Sequence, residues 1–254
     1  MNIYPLPAFT DNYIWALVDG AECWIVDPGQ AAPVTRFLAA HNLTLAGLLI
    51  THHHGDHTGA ISELSATGVR VIGPDNPTIN GITEVVGEGD TVDVFGYTFH
   101  CLAVPGHTLD HVAYHSELGS RHVLFCGDTL FAGGCGRLFE GSPEQMWQSL
   151  GKLANLPDRT EIYAAHEYTA ANLAFAAAVD PNNRQLAARI EDVAACRRHG
   201  IATLPSRIGL EKATNPFLRA TQAELAHAAS KAAGHPIERP VEVFAALRAY
   251  KDRF

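Results

Sequence analysis

The stretch that most constrains this 254-residue chain is Leu48-Leu49-Ile50-Thr51-His52-His53-His54-Gly55-Asp56-His57-Thr58-Gly59. Three apolar residues and a β-branched threonine read as a buried strand. The strand empties into a polar turn with four histidines and an aspartate, and a helical period begins at about Thr58. His52 and His54, two apart at a strand end, project to the same side. Asp56 and His57 follow at the turn into the helix. Imidazole and carboxylate together suit zinc, iron or manganese rather than calcium or a thiolate cluster. The plain alternative is a solvated histidine-rich loop or a relative of a purification tag. A tag sits at a terminus, whereas this run is framed by a strand and a helix and carries an acid at a fixed offset.

Three further segments share one design, a hydrophobic strand that ends in a potential ligand. They are Leu102-Ala-Val-Pro-Gly-His107, Val123-Leu-Phe-Cys-Gly-Asp128 and Ile162-Tyr-Ala-Ala-His166. One such residue alone reads more readily as a satisfied core or loop side chain. Three beside the first cluster point to a metal centre. His111, four residues after His107, reads as a supporting or packing residue.

Around these segments the chain allows one large domain or two modest ones, with ample length for a buried core. Tyr13–Val18 and Cys23–Val26 read as strands joined by Asp19-Gly20-Ala21-Glu22, and residues 33–42 as a short amphipathic helix. Strands are expected at 69–74, 91–96, 97–106, 111–116, 122–126 and 161–165, and a helix over 60–67. Ser142-Pro143-Glu144-Gln145 has the form of a capping box and starts a helix reaching about Leu153. This alternation predicts a layered α/β architecture. Beyond Thr169 alanine becomes frequent and β-branched runs vanish. Asp180-Pro181 is expected to cap a helix reaching about Arg198, Thr221-Gln-Ala-Glu224 to form a capping box, and Glu238-Arg-Pro240 to open a last helix ending near Lys251. The domain boundary falls near 167–172.

Charge separates the same two parts. Residues 1–166 hold 6 Lys+Arg against 18 Asp+Glu, and residues 167–254 hold 12 against 9. An acidic half can hold divalent cations and a mildly basic tail an anionic substrate, although Arg- and Lys-rich helix surfaces account for the tail equally well. The net charge of −9 argues against a general nucleic-acid binder. No apolar run of 18 residues is present, so no membrane span is expected. The first residues lack a basic region and a continuous apolar core of the secretory kind. Cys23, Cys101, Cys126, Cys135 and Cys196, odd in number and never in a Cys-x-x-Cys spacing, read as reduced thiols of a cytoplasmic protein.

The pattern His-x-His-x-Asp-His after a hydrophobic strand, with His107, Asp128 and His166 following in order, resembles the metallo-β-lactamase superfamily. Further segments look like one branch of it, the glyoxalase II (hydroxyacylglutathione hydrolase) family. They are Leu6-Pro-Ala-Phe-Thr-Asp-Asn-Tyr13, Ile25-Val-Asp-Pro-Gly29, Gly127-Asp-Thr-Leu-Phe-Ala-Gly-Gly-Cys-Gly-Arg137, Ala165-His-Glu-Tyr-Thr169, Asn215-Pro-Phe-Leu-Arg219 and Leu247-Arg-Ala-Tyr-Lys-Asp252. The resemblance spans essentially the whole chain, and the tail carries the distinction, since most superfamily members lack it. It implies an αββα sandwich, two mixed sheets between helices, over residues 1–168, and a smaller all-α substrate-binding domain over 169–254.

By motif position, the resemblance assigns His52, His54 and His107 to one divalent metal ion and Asp56, His57 and His166 to a second, with Asp128 bridging. Asp56 and Asp128 thereby hold a bridging hydroxide. Zinc is the expected metal, with iron or manganese accepted by the same donors. The implied reaction is hydrolysis of S-D-lactoylglutathione and related 2-hydroxyacyl thioesters to glutathione and the 2-hydroxy acid, the second step of methylglyoxal detoxification. Arg137, Tyr168, Arg248 and Lys251 are the implied glutathione contacts. The partner is a small molecule, and the protein a cytoplasmic monomer that binds neither nucleic acid nor membrane. Three positions depart from the family pattern: Arg137 stands for a common lysine, Phe139 for a tyrosine and Asp110 for a glycine. Two rival readings remain at this level, a single-iron persulfide dioxygenase of the same superfamily and a metal-binding interaction protein without catalysis.

Overall fold

Ile14-Trp15-Ala16-Leu17 has an apolar side chain at every position, so a strand formed from it must be covered on both faces. In the computed structural model, which describes residues 1–254 (Thr67 by its backbone alone), this run lies fully buried within the second strand of a six-stranded sheet. The chain forms two compact units, one of residues 1–103 and 110–127 and one of residues 104–109 and 128–254.

In the first unit the sheet runs in the order β1 (Asn2–Ala8), β2 (Asn12–Asp19), β3 (Glu22–Val26), β4 (Thr44–Leu49), β5 (Arg70–Gly73) and β6 (Glu84–Val85). The first three strands are antiparallel and the last four run parallel. The parallel step from β3 to β4 needs a crossover, supplied by α1 (Ala31–His41). Val34 of α1 and Ile61 and Leu64 of the short helix α3 (Ile61–Leu64) pack on Ile14, Ile25, Leu48 and Val71. Between β4 and α3 lies α2 (Gly55–Thr58), a single turn carrying Asp56 and His57. The strands β7 (Thr91–Val94), β8 (Tyr97–Ala103), β9 (Val112–Leu118) and β10 (Arg121–Gly127) form an antiparallel meander. Tyr114 of β9, wholly buried, donates its hydroxyl to the carbonyl of Ile50 at 2.7 Å, which satisfies its polar tip inside the packing of the two sheets.

The second unit holds a two-residue hairpin, β11 (Leu130–Phe131) with β12 (Gly134–Cys135), then α4 (Pro143–Ala154) and β13 (Glu161–Ala164). Helices α5 (Thr169–Val179) and α6 (Arg184–Arg198) follow, then β14 (Ser206–Arg207), α7 (Ile208–Thr214), α8 (Ala223–Ala233) and α9 (Pro240–Lys251). Phe175, Phe217, Phe244 and Tyr250 form its aromatic core. Beneath it lies a buried polar knot. The Glu211 carboxylate takes hydrogen bonds from Arg189, from Ser206, from the amide of Gly133 at 2.7 Å and from Asn215 at 3.0 Å.

Most expected elements form, and the differences have local causes. Pro5 and Pro7 hide β1 from sequence reading, yet β1 lies at the sheet edge, where a missing N–H costs no ladder bond. Ser142 and Gln145 form the expected capping box. The expected cap at Asp180 is instead Asn183, whose side chain accepts from the amides of Gln185 and Leu186. The box expected at Thr221 is absent: α8 starts after Gln222, with no side-chain cap. The helix expected over 60–67 is confined to the four residues of α3 and a following 3-10 turn. The C-terminal helical region carries one strand, the two-residue β14, which pairs with β13.

Two predictions follow from the burial. Arg189 and Glu211 are 5% and 0% exposed, so Glu211→Ala leaves a buried guanidinium unpaired. The expected loss is about 3–5 kcal/mol, read as a lower urea midpoint, with partial recovery when Arg189→Met and Glu211→Leu are combined. His115 is buried on β9 and stacks on His122. Burial first, then the charges of His122 and His100, lower its pKa from the ordinary 6.5, against a raising effect of Glu117. Its contribution to stability is therefore complete above pH 6.5 and declines as pH falls below it, because the unfolded chain takes up the proton more readily. Urea titrations at pH 7.5 and 5 should show this loss narrowed by His115→Leu; an identical pH difference in the variant would refute the assignment.

Candidate metal centre

Each unit, taken by itself, holds a set of imidazole and carboxylate side chains that could bind a metal ion. In the first unit β4 delivers Thr51 and His52 directly beyond its end, His54 precedes the single turn α2, and Asp56 and His57 lie in that turn. His52 and His57 are wholly buried. His52 Nε2 and His54 Nδ1 face each other at 3.1 Å, and His57 Nε2 stands 3.3 Å from Asp56 Oδ2. Two ligands each about 2.0–2.1 Å from a tetrahedral ion stand roughly 3.4 Å apart. These separations therefore fit pairs of donors on a shared cation.

The ring orientations are set from behind by Asp27. Its carboxylate accepts from the Thr51 amide and the Thr51 hydroxyl, both at 2.8 Å, and meets His57 Nδ1 at 3.0 Å. With its own proton given to Asp27, Thr51 Oγ1 accepts from His52 Nδ1 at 3.0 Å. Both histidines thus carry their proton on Nδ1 and keep Nε2 as a lone-pair donor. Asn12 holds Asp56 by a 2.9 Å bond to Oδ2. Asp27 achieves this at φ 53°, in the left-handed region where a non-glycine residue is strained, as happens at functional sites. His111 stacks on His52 at 4.6 Å. Asp110 does not face solvent alone: it binds His53 Nδ1 at 3.0 Å and Asn76 at 2.8 Å.

In the second unit the set is His107, Asp128 and His166, all buried. Asp128 Oδ2 lies 3.4 Å from His107 Nε2, and Asp128 Oδ1 lies 3.4 Å from His166 Nε2. One carboxylate thus offers one oxygen to each of two histidines, the disposition a bridging ligand requires. His107 Nδ1 donates to the carbonyl of Arg137 at 2.8 Å, which again leaves Nε2 for a metal. His166 stacks on Tyr168 at 4.6 Å, and Phe131 closes edge-on against both rings. Gly127, just before Asp128 in sequence, has φ 45°, and a Cβ there would collide with Thr51 and His111. Imidazole and carboxylate donors with fixed tautomers fit divalent zinc, iron or manganese.

The four residues expected to contact an anionic substrate also lie in the second unit. Arg137 is half exposed and binds Asp252 through Nε at 3.1 Å. Arg248 is buried, with Nη1 on the Cys135 carbonyl at 2.9 Å, Nη2 on Asp252 at 3.1 Å and its guanidinium over the Phe217 ring. Lys251 bonds the Ala171 carbonyl at 3.2 Å and lies over Phe175, and burial, then the Arg248 charge, lower its pKa. Tyr168 is partly exposed. Sequence reading gave no role to Asn12, Asp27, Thr51, Glu211 or Asp252. For Asp27 a signal existed, a carboxylate ending the apolar run Trp24-Ile25-Val26 just before Pro28-Gly29.

Asp27→Asn removes the charge that pairs with His57 while keeping the shape. The expected outcome is a roughly 10–100-fold weaker metal affinity in competition with a chromophoric chelator, with an unchanged far-ultraviolet circular dichroism spectrum.

Residues 9–166 match the metallo-beta-lactamase superfamily, and residues 167–254 match the family described as hydroxyacylglutathione hydrolase C-terminus. The hydroxyacylglutathione hydrolase of Pseudomonas putida (strain GB-1) is 53% identical, with 100% of both chains covered. That of Hahella chejuensis (strain KCTC 2396) is 49% identical over 100% of this chain and 99% of its own. Among solved structures, ETHE1 from Myxococcus xanthus is similar with a TM-score of 0.67 and 27% identity, over 99% of this chain and 98% of that one. Family matches across both halves and full-length identity near one half carry the same conclusion as the residues, that this chain belongs to the hydroxyacylglutathione hydrolase family of the metallo-beta-lactamase superfamily.

Proposed function

We propose that this protein hydrolyses the thioester bond of S-(2-hydroxyacyl)glutathiones, chiefly S-D-lactoylglutathione, releasing glutathione and a 2-hydroxy acid. His52, His54 and His107 hold one divalent ion in this reading, Asp56, His57 and His166 hold the other, and Asp128 serves both. The observation that carries it is the split Asp128 carboxylate, one oxygen toward His107 and the other toward His166. Family membership over the whole length supports the same assignment. Residues 1–168 act as the catalytic domain and 169–254 as the substrate-binding domain, a division supported by the two family matches.

Held by these side chains, a pair of divalent ions, zinc by first choice with iron or manganese accepted by the same donors, would supply a nucleophilic water at neutral pH and would polarise the thioester carbonyl. The protein's part is to aim and to hold. Asp27 and Thr51 keep the His57 and His52 protons on Nδ1, so neither ring has to reorganise during turnover. The leaving thiol has a pKa of about 8.5, so it departs as a thiolate without a strong general acid. The Asp56 and Asp128 carboxylates can therefore both remain ionised as ligands. Arg137, Arg248 and Lys251 supply positive charge for the two glutathione carboxylates, and Tyr168 a polar edge beside them. No helix of the described residues is long and apolar enough to cross a membrane. Reduced cysteines and a small-molecule substrate fit a monomer working in the cytoplasm.

The deciding experiment is steady-state hydrolysis of S-D-lactoylglutathione by the metal-loaded protein, beside a lactoyl thioester of a thiol without carboxylates. Turnover of both is expected, with a KM at least about tenfold lower for the glutathione compound. Asp128→Ala should abolish turnover and lower the bound metal below two ions per chain while the fold persists. No hydrolysis of either thioester by protein holding two ions would sink the reading.

A further inference from the structure

We propose that Asp252 is the residue that aims the glutathione site, by gripping Arg137 through Nε so that the two Nη amino groups remain free for a substrate carboxylate. This inference rests on the glutathione thioesterase reading above and assigns the division of labour among its cations.

Asp252 lies one residue beyond α9, fixed by its backbone N–H, which donates to the Arg248 carbonyl at 3.0 Å. Its Oδ1 accepts from Arg248 Nη2 and from Arg137 Nε, each at 3.1 Å. The two arginines are otherwise unlike. Arg248 is 6% exposed, and both its Nη groups are committed, one to Asp252 and one to the Cys135 carbonyl. It braces β12 and the Asp252 carboxylate and lends its charge from the buried side. The Arg137 side chain is 54% exposed and, among the described residues, engaged through Nε alone. A carboxylate is best held by two parallel N–H donors of one guanidinium, and the terminal edge of Arg137 presents such a pair.

An exposed arginine left to itself must give up its rotamer freedom on binding, which weakens the complex. Asp252 fixes it beforehand. The carbonyl of the same Arg137 orients His107, so one residue connects the anion-binding fork with a ligand of the proposed metal centre. Arg137, Arg248, Lys251 and Asp252 together retain two positive charges, matching a ligand with two carboxylates. The competing idea is that Asp252 imitates the substrate carboxylate and must be displaced by it; that idea predicts the opposite sign in KM.

The test compares wild type, Asp252→Ala and Asp252→Asn as full-length, metal-loaded proteins, on S-D-lactoylglutathione and on the carboxylate-free lactoyl thioester. Asp252→Ala is expected to raise KM for the glutathione compound roughly five- to twentyfold with kcat within about twofold, and to leave KM for the other thioester unchanged. Asp252→Asn keeps an acceptor oxygen and should fall between. In an Arg137→Ala background, Asp252→Ala should add little, because it acts through a side chain already removed. A lower KM in Asp252→Ala would establish displacement instead of aiming. Equal changes on both thioesters, or additive effects with Arg137→Ala, would reduce Asp252 to a packing residue. A wild type that does not prefer the glutathione compound would refute the underlying substrate reading, and that result is visible before any variant is measured.

Discussion

Everything about the histidine turn depends on one buried carboxylate. Asp27 directly follows β3, and β3 pairs in parallel with β4, so its side chain reaches the residues that leave β4. Three hydrogen bonds converge on it, from the Thr51 amide, the Thr51 hydroxyl and His57. An unpaired carboxylate at this depth would be strongly penalised, so the bonds to Asp27 are obligatory for the fold. They also determine which nitrogen of His52 and His57 carries the proton. The folding requirement and the site's chemistry are met by the same three contacts, which explains why a strained φ of 53° is tolerated there.

The second unit uses a different device for the same purpose. The segment between Asp128 and Arg137 is rich in glycine and has little side-chain mass with which to fix itself. Its hairpin is held from the helices. Asn172 donates to the Ala132 carbonyl, Asn215 to the carbonyls of Phe131 and Gly134, and Glu211 receives the Gly133 amide. Phe131, held in this way, is the ring that closes on His166 and Tyr168. Glu167 ties the His166-Glu167-Tyr168 segment to Thr203 in the loop after α6. The helices therefore contribute to the geometry of the Asp128–His166 pair without supplying a donor atom to it.

These devices mark the boundary of what the sequence discloses. The His52–His57 cluster was legible because a strand ending in polar ligands has few other uses, and α4 because Ser142-Pro143-Glu144-Gln145 satisfies its amides locally. The edge strand β1 was not, since its prolines are acceptable only from its place in the sheet, and that is a tertiary fact. Asn183 displaced Asp180 as a cap through contacts inside two or three residues, too fine a choice for propensity. Arg248 and Lys251, three apart on α9, looked alike in sequence. Burial separates them, because only packing shows that Arg248 faces Phe217 and Cys135. Glu211 and Arg189 lie 22 residues apart with no shared pattern, so their pairing appears only in the folded chain.

Cysteine chemistry shows why the reaction falls to imidazole and carboxylate groups alone. Cys23, Cys101, Cys126 and Cys135 are buried. Burial pushes the thiols of Cys23 and Cys101 up to about 12 and that of Cys135 to about 11, even though Arg248 beside Cys135 acts in the opposite direction. At neutral pH these three are protonated, hence poor nucleophiles and poor metal ligands. Cys135 lies buried in the hairpin that leads to Arg137. With the Cys135 thiol neutral, the Arg248 guanidinium finds its anionic partner in Asp252 and not in a sulfur anion.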